Sequence, residues 1–203
     1  MLVCTAPGSF AARALPRAVL LTALVVTTVA AASAQEIDYI LLATNKTSTM
    51  EKELNANAEA GFRFEGVMGG DTAFGGSQVV AIMSRRPDGA KGRYRYKLLA
   101  TSKTSTMQRE IEDAGDVGYE YKGQTVFQSL FGGREVVVIL ERDKDAEVRN
   151  WQYRLLATSK TSTMEKELHE AGSLGFEFVG VTVGQTAIGG NELVVITRRL
   201  ERK

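Results

Sequence analysis

The stretch "LLATSKTSTMEKEL" at Leu155–Leu168 decides the fold, because the chain carries it three times. "LLATNKTSTMEKEL" occupies Leu41–Leu54 and "LLATSKTSTMQREI" occupies Leu98–Ile111. Working outward, Tyr39, Tyr96 and Tyr153 precede the copies at a spacing of 57 residues. Gly61, Gly118 and Gly175 follow them at the same spacing, as do the Gly-Gly pairs opening at Gly75, Gly132 and Gly189. Arg85, Arg142 and Arg199 close the register without an insertion. A fixed period of this length marks a repeat architecture in which each copy is one supersecondary unit. The repeats are placed at 35–88, 92–146 and 150–203, joined by the polar linkers "PDGAKGR" (from Pro87) and "DKDAEVRN" (from Asp143).

Each copy reads as strand, helix, strand, strand. "YKLLAT" (Tyr96–Thr101) is an apolar run of strand length. Ser48 with Glu51, Ser105 with Gln108 and Ser162 with Glu165 fit the capping-box spacing and predict a helix start. Met164, Leu168, Ala171 and Leu174 then recur at helical spacing, matched by Met107, Ile111, Ala114 and Val117. Gly61, Gly118 and Gly175 stand where a left-handed residue ends a helix. "GFEFVGVTV" (Gly175–Val183) alternates as a half-buried strand does, which turns Phe176 and Phe178 toward the helix and Glu177 away. Gly66, Gly123 and Gly180 fall inside this strand and predict a bulge or a close backbone approach. The Gly-Gly pair predicts a turn into a last strand, "VVAIM", "VVVIL" or "LVVIT", continuously apolar as a strand covered on both faces is.

These elements predict an α+β fold of three tandem βαββ units. A right-handed crossover makes the first two strands of a unit parallel, and the turn makes the third antiparallel to both. With the third strand central, the order is 1-3-2 and the helix covers one face. A unit of about 50 residues buries too little surface to stand alone, so a neighbouring repeat is expected on the other face. Three units then form one pseudo-symmetric body.

The passage "LHEAGSLGFEFVGVTV" resembles a family of small bacterial strand-helix-strand-strand domains of unknown function, whose helix ends in a Leu-Gly-x-x-Gly-Trp-Glu-Leu-Val-like signature. The matching positions are Leu168, Gly172, Gly175, Phe176, Glu177 and Val179, with Phe or Tyr in place of the signature Trp in all three copies. The resemblance implies the same fold and brings no activity with it.

Residues 1–34 read as a secretory signal: Arg13 and Arg17 before the apolar run Ala18–Ala32, then "ASA" at Ala32–Ala34. The run is shorter than the ~18–20 residues of a membrane span. The expected product starts at Gln35, exported to the periplasm or secreted, with no stable membrane insertion. Cleavage removes Cys4, the single cysteine, so no disulfide is expected. It also removes two of 25 basic residues, leaving 23 against 24 acidic ones, a net charge near −1. That balance lacks the basic footprint of a nucleic-acid or anionic-membrane binder.

Comparing the copies with each other locates what is held fixed. Of the 16 positions Tyr39–Leu54, 11 are identical in all three copies, against 7 of the 31 positions Asn55–Arg85. Structure accounts for much of the first segment: strand, cap and core stripe. It leaves Lys46, Lys103 and Lys160, which no turn requires. Lys46, Thr47, Ser48 and Thr49, with Lys103, Thr104, Ser105, Thr106 and Lys160, Thr161, Ser162, Thr163, are the candidate anion-binding positions. There an ammonium and hydroxyls join the N–H groups of a helix N-terminus, suiting phosphate, sulfate or an acidic glycan. The loop lacks the glycines of a P-loop. Glu53, Glu110 and Glu167, also identical, are expected to pair with Arg85, Arg142 or Arg199. His169 stands opposite Asn55 and Glu112 and reads as a solvated helix residue. With one histidine and no mature cysteine, no thiolate or multi-histidine metal site is expected, nor a cofactor or recurring catalytic set. The resulting expectation is a non-enzymatic binding or scaffold protein, with edge strands as a route to a protein partner or self-association; an anion or glycan binder is the alternative.

Overall fold

The computed structural model describes residues 36–72, 76–128, 133–185 and 190–201. The first repeat forms β1 (Asp38–Thr44), α1 (Thr47–Glu59), β2 (Arg63–Thr72) and β3 (Gly76–Arg85). The second forms β4 (Tyr94–Thr101), α2 (Thr104–Asp116), β5 (Glu120–Gln128) and β6 (Arg134–Asp143). The third forms β7 (Trp151–Thr158), α3 (Thr161–Ser173), β8 (Glu177–Gln185) and β9 (Asn191–Leu200). Each repeat is a three-stranded antiparallel sheet, ordered β1-β3-β2, β4-β6-β5 and β7-β9-β8, as the sequence predicts. The registers coincide: Leu41 pairs with Ile82, Leu98 with Ile139 and Leu155 with Ile196. The Gly-Gly turns at Gly75, Gly132 and Gly189 lie outside the described residues.

The helix starts differ from the capping-box expectation. The N-cap residues are Lys46, Lys103 and Lys160, and none caps through its side chain. The threonine ending each first strand does the local work instead: Thr44, Thr101 and Thr158 accept the Lys46, Lys103 and Lys160 N–H through Oγ1 at 3.1, 3.1 and 3.2 Å. This hydroxyl turn sets the lysine in extended backbone and starts the helix two residues earlier than a Ser48 cap would. The helix ends follow expectation. Gly61, Gly118 and Gly175 have φ of +92°, +84° and +79°. Phe62, Tyr119 and Phe176 N–H reach back to the carbonyls of Asn57, Ala114 and Ala171, the six-to-one bond that satisfies a helix C-terminus.

Arg85 and Arg199 also depart from expectation. Neither pairs with the helix glutamate. Arg85 donates to the Asp38 carboxylate and the Ala60 carbonyl, Arg199 donates to the Gln152 side chain and the Leu174 carbonyl, and each guanidinium lies over the aromatic ring just past the helix, Phe62 or Phe176. The planar fork serves a helix C-terminus and a ring face together, which a single helix carboxylate does not offer.

Successive repeats alternate sheet and helix. Met50, Leu54 and Ala58 of α1 meet Phe62, Phe64, Val79, Ala81 and Met83 of their own repeat on one side, and Tyr96, Val137 and Ile139 of the second repeat on the other. In the next layer, α2 lies between Val136, Val138 and Leu140 of β6 and Tyr153, Val194 and Ile196 of the third repeat. The strand β6 is therefore buried on both faces, Val137 and Ile139 into one core and Val136, Val138 and Leu140 into the other. Its continuous apolar run has that cause. The bulges expected at the strand glycines are present, with register shifts at Phe64/Gly66, Tyr121/Gly123 and Phe178/Gly180.

Candidate functional site

The three lysine–hydroxyl turns occupy the same corner of successive layers. Thr47 and Ser48 border a groove of about 500 Å³ that also holds Glu51, Lys52, Lys97, Glu110 and Asp113. An anion there meets three carboxylates. The second turn abuts Arg134, Leu155 and Glu192 of its surroundings, and Thr161 of the third borders an open groove on α3. None of these grooves is lined by two turns. Lys46, Lys103 and Lys160 thus stand one per layer.

Between the repeats lies a polar seam. The Tyr96 hydroxyl accepts the Phe64 N–H at 2.9 Å and donates to Glu141 at 2.8 Å, and Arg63 donates to the same carboxylate at 2.9 Å. In the next seam Tyr153 accepts the Tyr121 N–H at 2.7 Å and donates to the Tyr119 carbonyl at 3.0 Å. The ion pair recurs there with its charges exchanged, Glu120 with Arg198 at 2.8 Å. Burial and the Glu141 carboxylate hold the Tyr96 phenol far above its ordinary range, and burial pushes Tyr153 up to about 12. Burial acts to raise Glu120, but Lys122 and Arg198 outweigh it and the carboxyl titrates low. The bond to Glu141 raises Arg63. These groups are locked in one protonation state near neutrality, which makes the seam a positioning device between repeats.

Helix side chains also cross to the next repeat. Glu51 accepts the Leu98 N–H at 2.9 Å, while Asn55 bonds both backbone groups of Tyr96 at 2.9 Å. Gln108 combines the Glu51 contact with half of the Asn55 one in the second layer, accepting the Leu155 N–H at 2.6 Å and donating to the Tyr153 carbonyl at 2.9 Å. The helix glutamate or glutamine that resembles a capping-box partner is therefore an inter-repeat contact.

Among the described residues, the two ends of the stack lack this cover. Tyr39 is 61 % exposed where Tyr96 and Tyr153 are 1 % and 2 % exposed, and Ile82 is 44 % exposed where Ile139 and Ile196 are fully buried. Leu41 and Met68 are exposed beside them. At the other end Phe178 is 57 % exposed where its counterpart Phe64 is 7 % exposed. The expectation that Phe178 faces a helix fails because a Phe64-type position is covered by the following repeat, and β8 has none. Leu168, His169, Glu165, Gly172 and Leu193 line a groove of about 760 Å³ along α3. Among the described residues no three His, Cys, Asp or Glu side chains are grouped to hold a metal ion, and no helix is long and apolar enough to cross a membrane. Comparison of the chain with protein families, curated proteins and solved structures returns no match.

The end faces escaped sequence reading, since Tyr39, Leu41 and Ile82 are indistinguishable there from their buried counterparts. One signal was available: Val80 and Ile82 are identical in all copies, while their inward neighbours Val79, Ala81 and Met83 are not.

Proposed function

We propose that this protein is an exported, non-enzymatic scaffold that works by protein–protein contact through the two open ends of its repeat stack. The observation that carries this reading is the apolar first face, Tyr39, Leu41, Met68 and Ile82, exposed on a repeat whose two successors bury the same face. Contiguous exposed apolar surface of this kind marks interaction sites, and repeat arrays ordinarily end in polar capping surfaces. Export rests on the signal-like residues 1–34, with Arg13 and Arg17 ahead of the apolar run.

The test is site-specific photo-crosslinking in the producing cell, with the reactive residue at Tyr39, Phe178 or Lys103. Polypeptide adducts at Tyr39 and Phe178, with none at Lys103, are expected. Adducts confined to Lys103 transfer the function to the lysine–hydroxyl turns. No adduct at any of the three overturns the scaffold reading.

A further inference from the structure

We infer that the occupant of each open end is the opposite end of a second copy of this chain, so that copies join head to tail and continue the repeat stack. This deepens the scaffold reading and rests on it. The contact already exists twice inside the chain, where α1 meets the second sheet and α2 meets the third. The third helix, α3, and the first sheet carry the parts for a third instance.

Two glycines show the fit. In the internal contacts an aromatic of one repeat fills the space above a strand glycine of the next: Phe64 lies against Gly123, and Tyr121 against Gly180. Gly66, their counterpart on the first sheet, has nothing within 4 Å of a Cβ position. Phe178, the counterpart of Phe64 and Tyr121, stands exposed at the other end. The reverse pairing is also prepared. Gly115 of α2 admits the Tyr153 ring, whose Cδ2 lies 2.9 Å from a Cβ built there. Gly172 takes the same place on α3 with nothing within 4 Å, and the exposed Tyr39 is the ring that would cover it. Each end supplies one knob and one hole.

The polar contacts extend in the same register. Glu165 is placed to accept the Leu41 N–H as Glu51 accepts that of Leu98, and Tyr39 to accept the Phe178 N–H as Tyr96 accepts that of Phe64. The seam ion pair does not recur at this joint: its position brings Glu177 to Ser84, whose hydroxyl already donates to the Glu65 carboxylate. The receiving face is also kept apolar where an end cap needs it polar: Tyr39, Leu41, Gly66, Val80 and Ile82 are identical to their buried or partly buried counterparts in both later repeats. Because the two faces differ, the contact is heterologous and adds copies beyond two. A like-to-like dimer would leave Gly172 and Phe178 unused.

Sedimentation of the chain from Gln35, which forms one compact unit with the three repeats, tests this. The wild type is expected to grow with concentration past the dimer. Gly66→Glu and Gly172→Glu, each filling one hole, are expected to be monomeric alone and to form 1:1 dimers, and nothing larger, when mixed. Tyr39→Asp and Phe178→Asp repeat the test on the knobs should a glycine variant misfold, with circular dichroism as the folding control. A wild type that is monomeric up to about 100 μM overturns the inference, as does association that persists in either single variant. Crosslinks at Tyr39 to a different polypeptide, with a monomeric wild type, preserve the scaffold reading and sink this one.

Discussion

Gly115 and Gly172 hold the same helical position in consecutive repeats under opposite circumstances. A Cβ at Gly115 falls 2.1 Å from the Trp151 carbonyl oxygen, whereas one at Gly172 meets nothing within 4 Å. Gly115→Ala is expected to destabilise by about 1–3 kcal/mol, since the second and third repeats must move apart. Gly172→Ala is expected to stabilise the monomer by about 0.5 kcal/mol, through lost backbone freedom in the unfolded chain. Urea unfolding at dilution checks both, and equal effects would contradict the packing described. The glycines were legible in the sequence as fixed points. Which ones carry a neighbour was not, because a glycine's role depends on what crosses it.

At the scale of elements, seams between repeats matter as much as the repeats themselves. Glu141 is buried and holds Tyr96, Arg63 and Lys122, the last at 3.4 Å. Glu141→Ala removes the acceptor from a buried phenol and is expected to cost about 1–3 kcal/mol. Arg63→Ala is expected to cost less, about 0.5 kcal/mol, because Arg63 is half exposed and Lys122 remains beside the carboxylate. Urea midpoints of the two variants give the order, and a larger loss at Arg63 contradicts it. Strand and helix order was readable from the period, since hydrophobic spacing switches from helical to alternating inside each copy. The helix start was misread for a physical reason. The hydroxyl that organises it, Thr44, Thr101 or Thr158, sits in the preceding strand, while Glu51 and Gln108, three residues after the serine, bond the next repeat instead.

At the scale of the molecule, the middle repeat has no exposed face of its own to rely on. Residues 92–146 expressed alone would bare Val137 and Ile139 on the side of β6 that meets α1, and Met107, Ile111 and Ala114 where α2 meets the third repeat. That fragment is expected not to unfold cooperatively, and a sharp calorimetric transition would argue against the layered core. Alkaline pH probes the same layers. Burial raises the phenols of Tyr96, Tyr121 and Tyr153, the last from near 10 to about 12. Because the folded values lie above the unfolded ones, this contribution is complete below pH 10 and declines as pH climbs toward the folded values. The urea midpoint is expected to fall between about pH 10 and 12 alongside rising tyrosinate absorbance; a flat midpoint there contradicts burial of the three rings.

Sequence by itself determined the 57-residue period, the βαββ unit and the strand order, because these follow from local spacing of apolar residues, glycines and turns. It also required that something cover the second face of each central strand. Only the tertiary structure decided which copies of the repeated surface are buried. Identical residues, Tyr39 and Tyr96, differ in exposure solely because one has a preceding helix above it and the other has none. Burial is a property of neighbours, and a repeat written three times has neighbours on both sides only once.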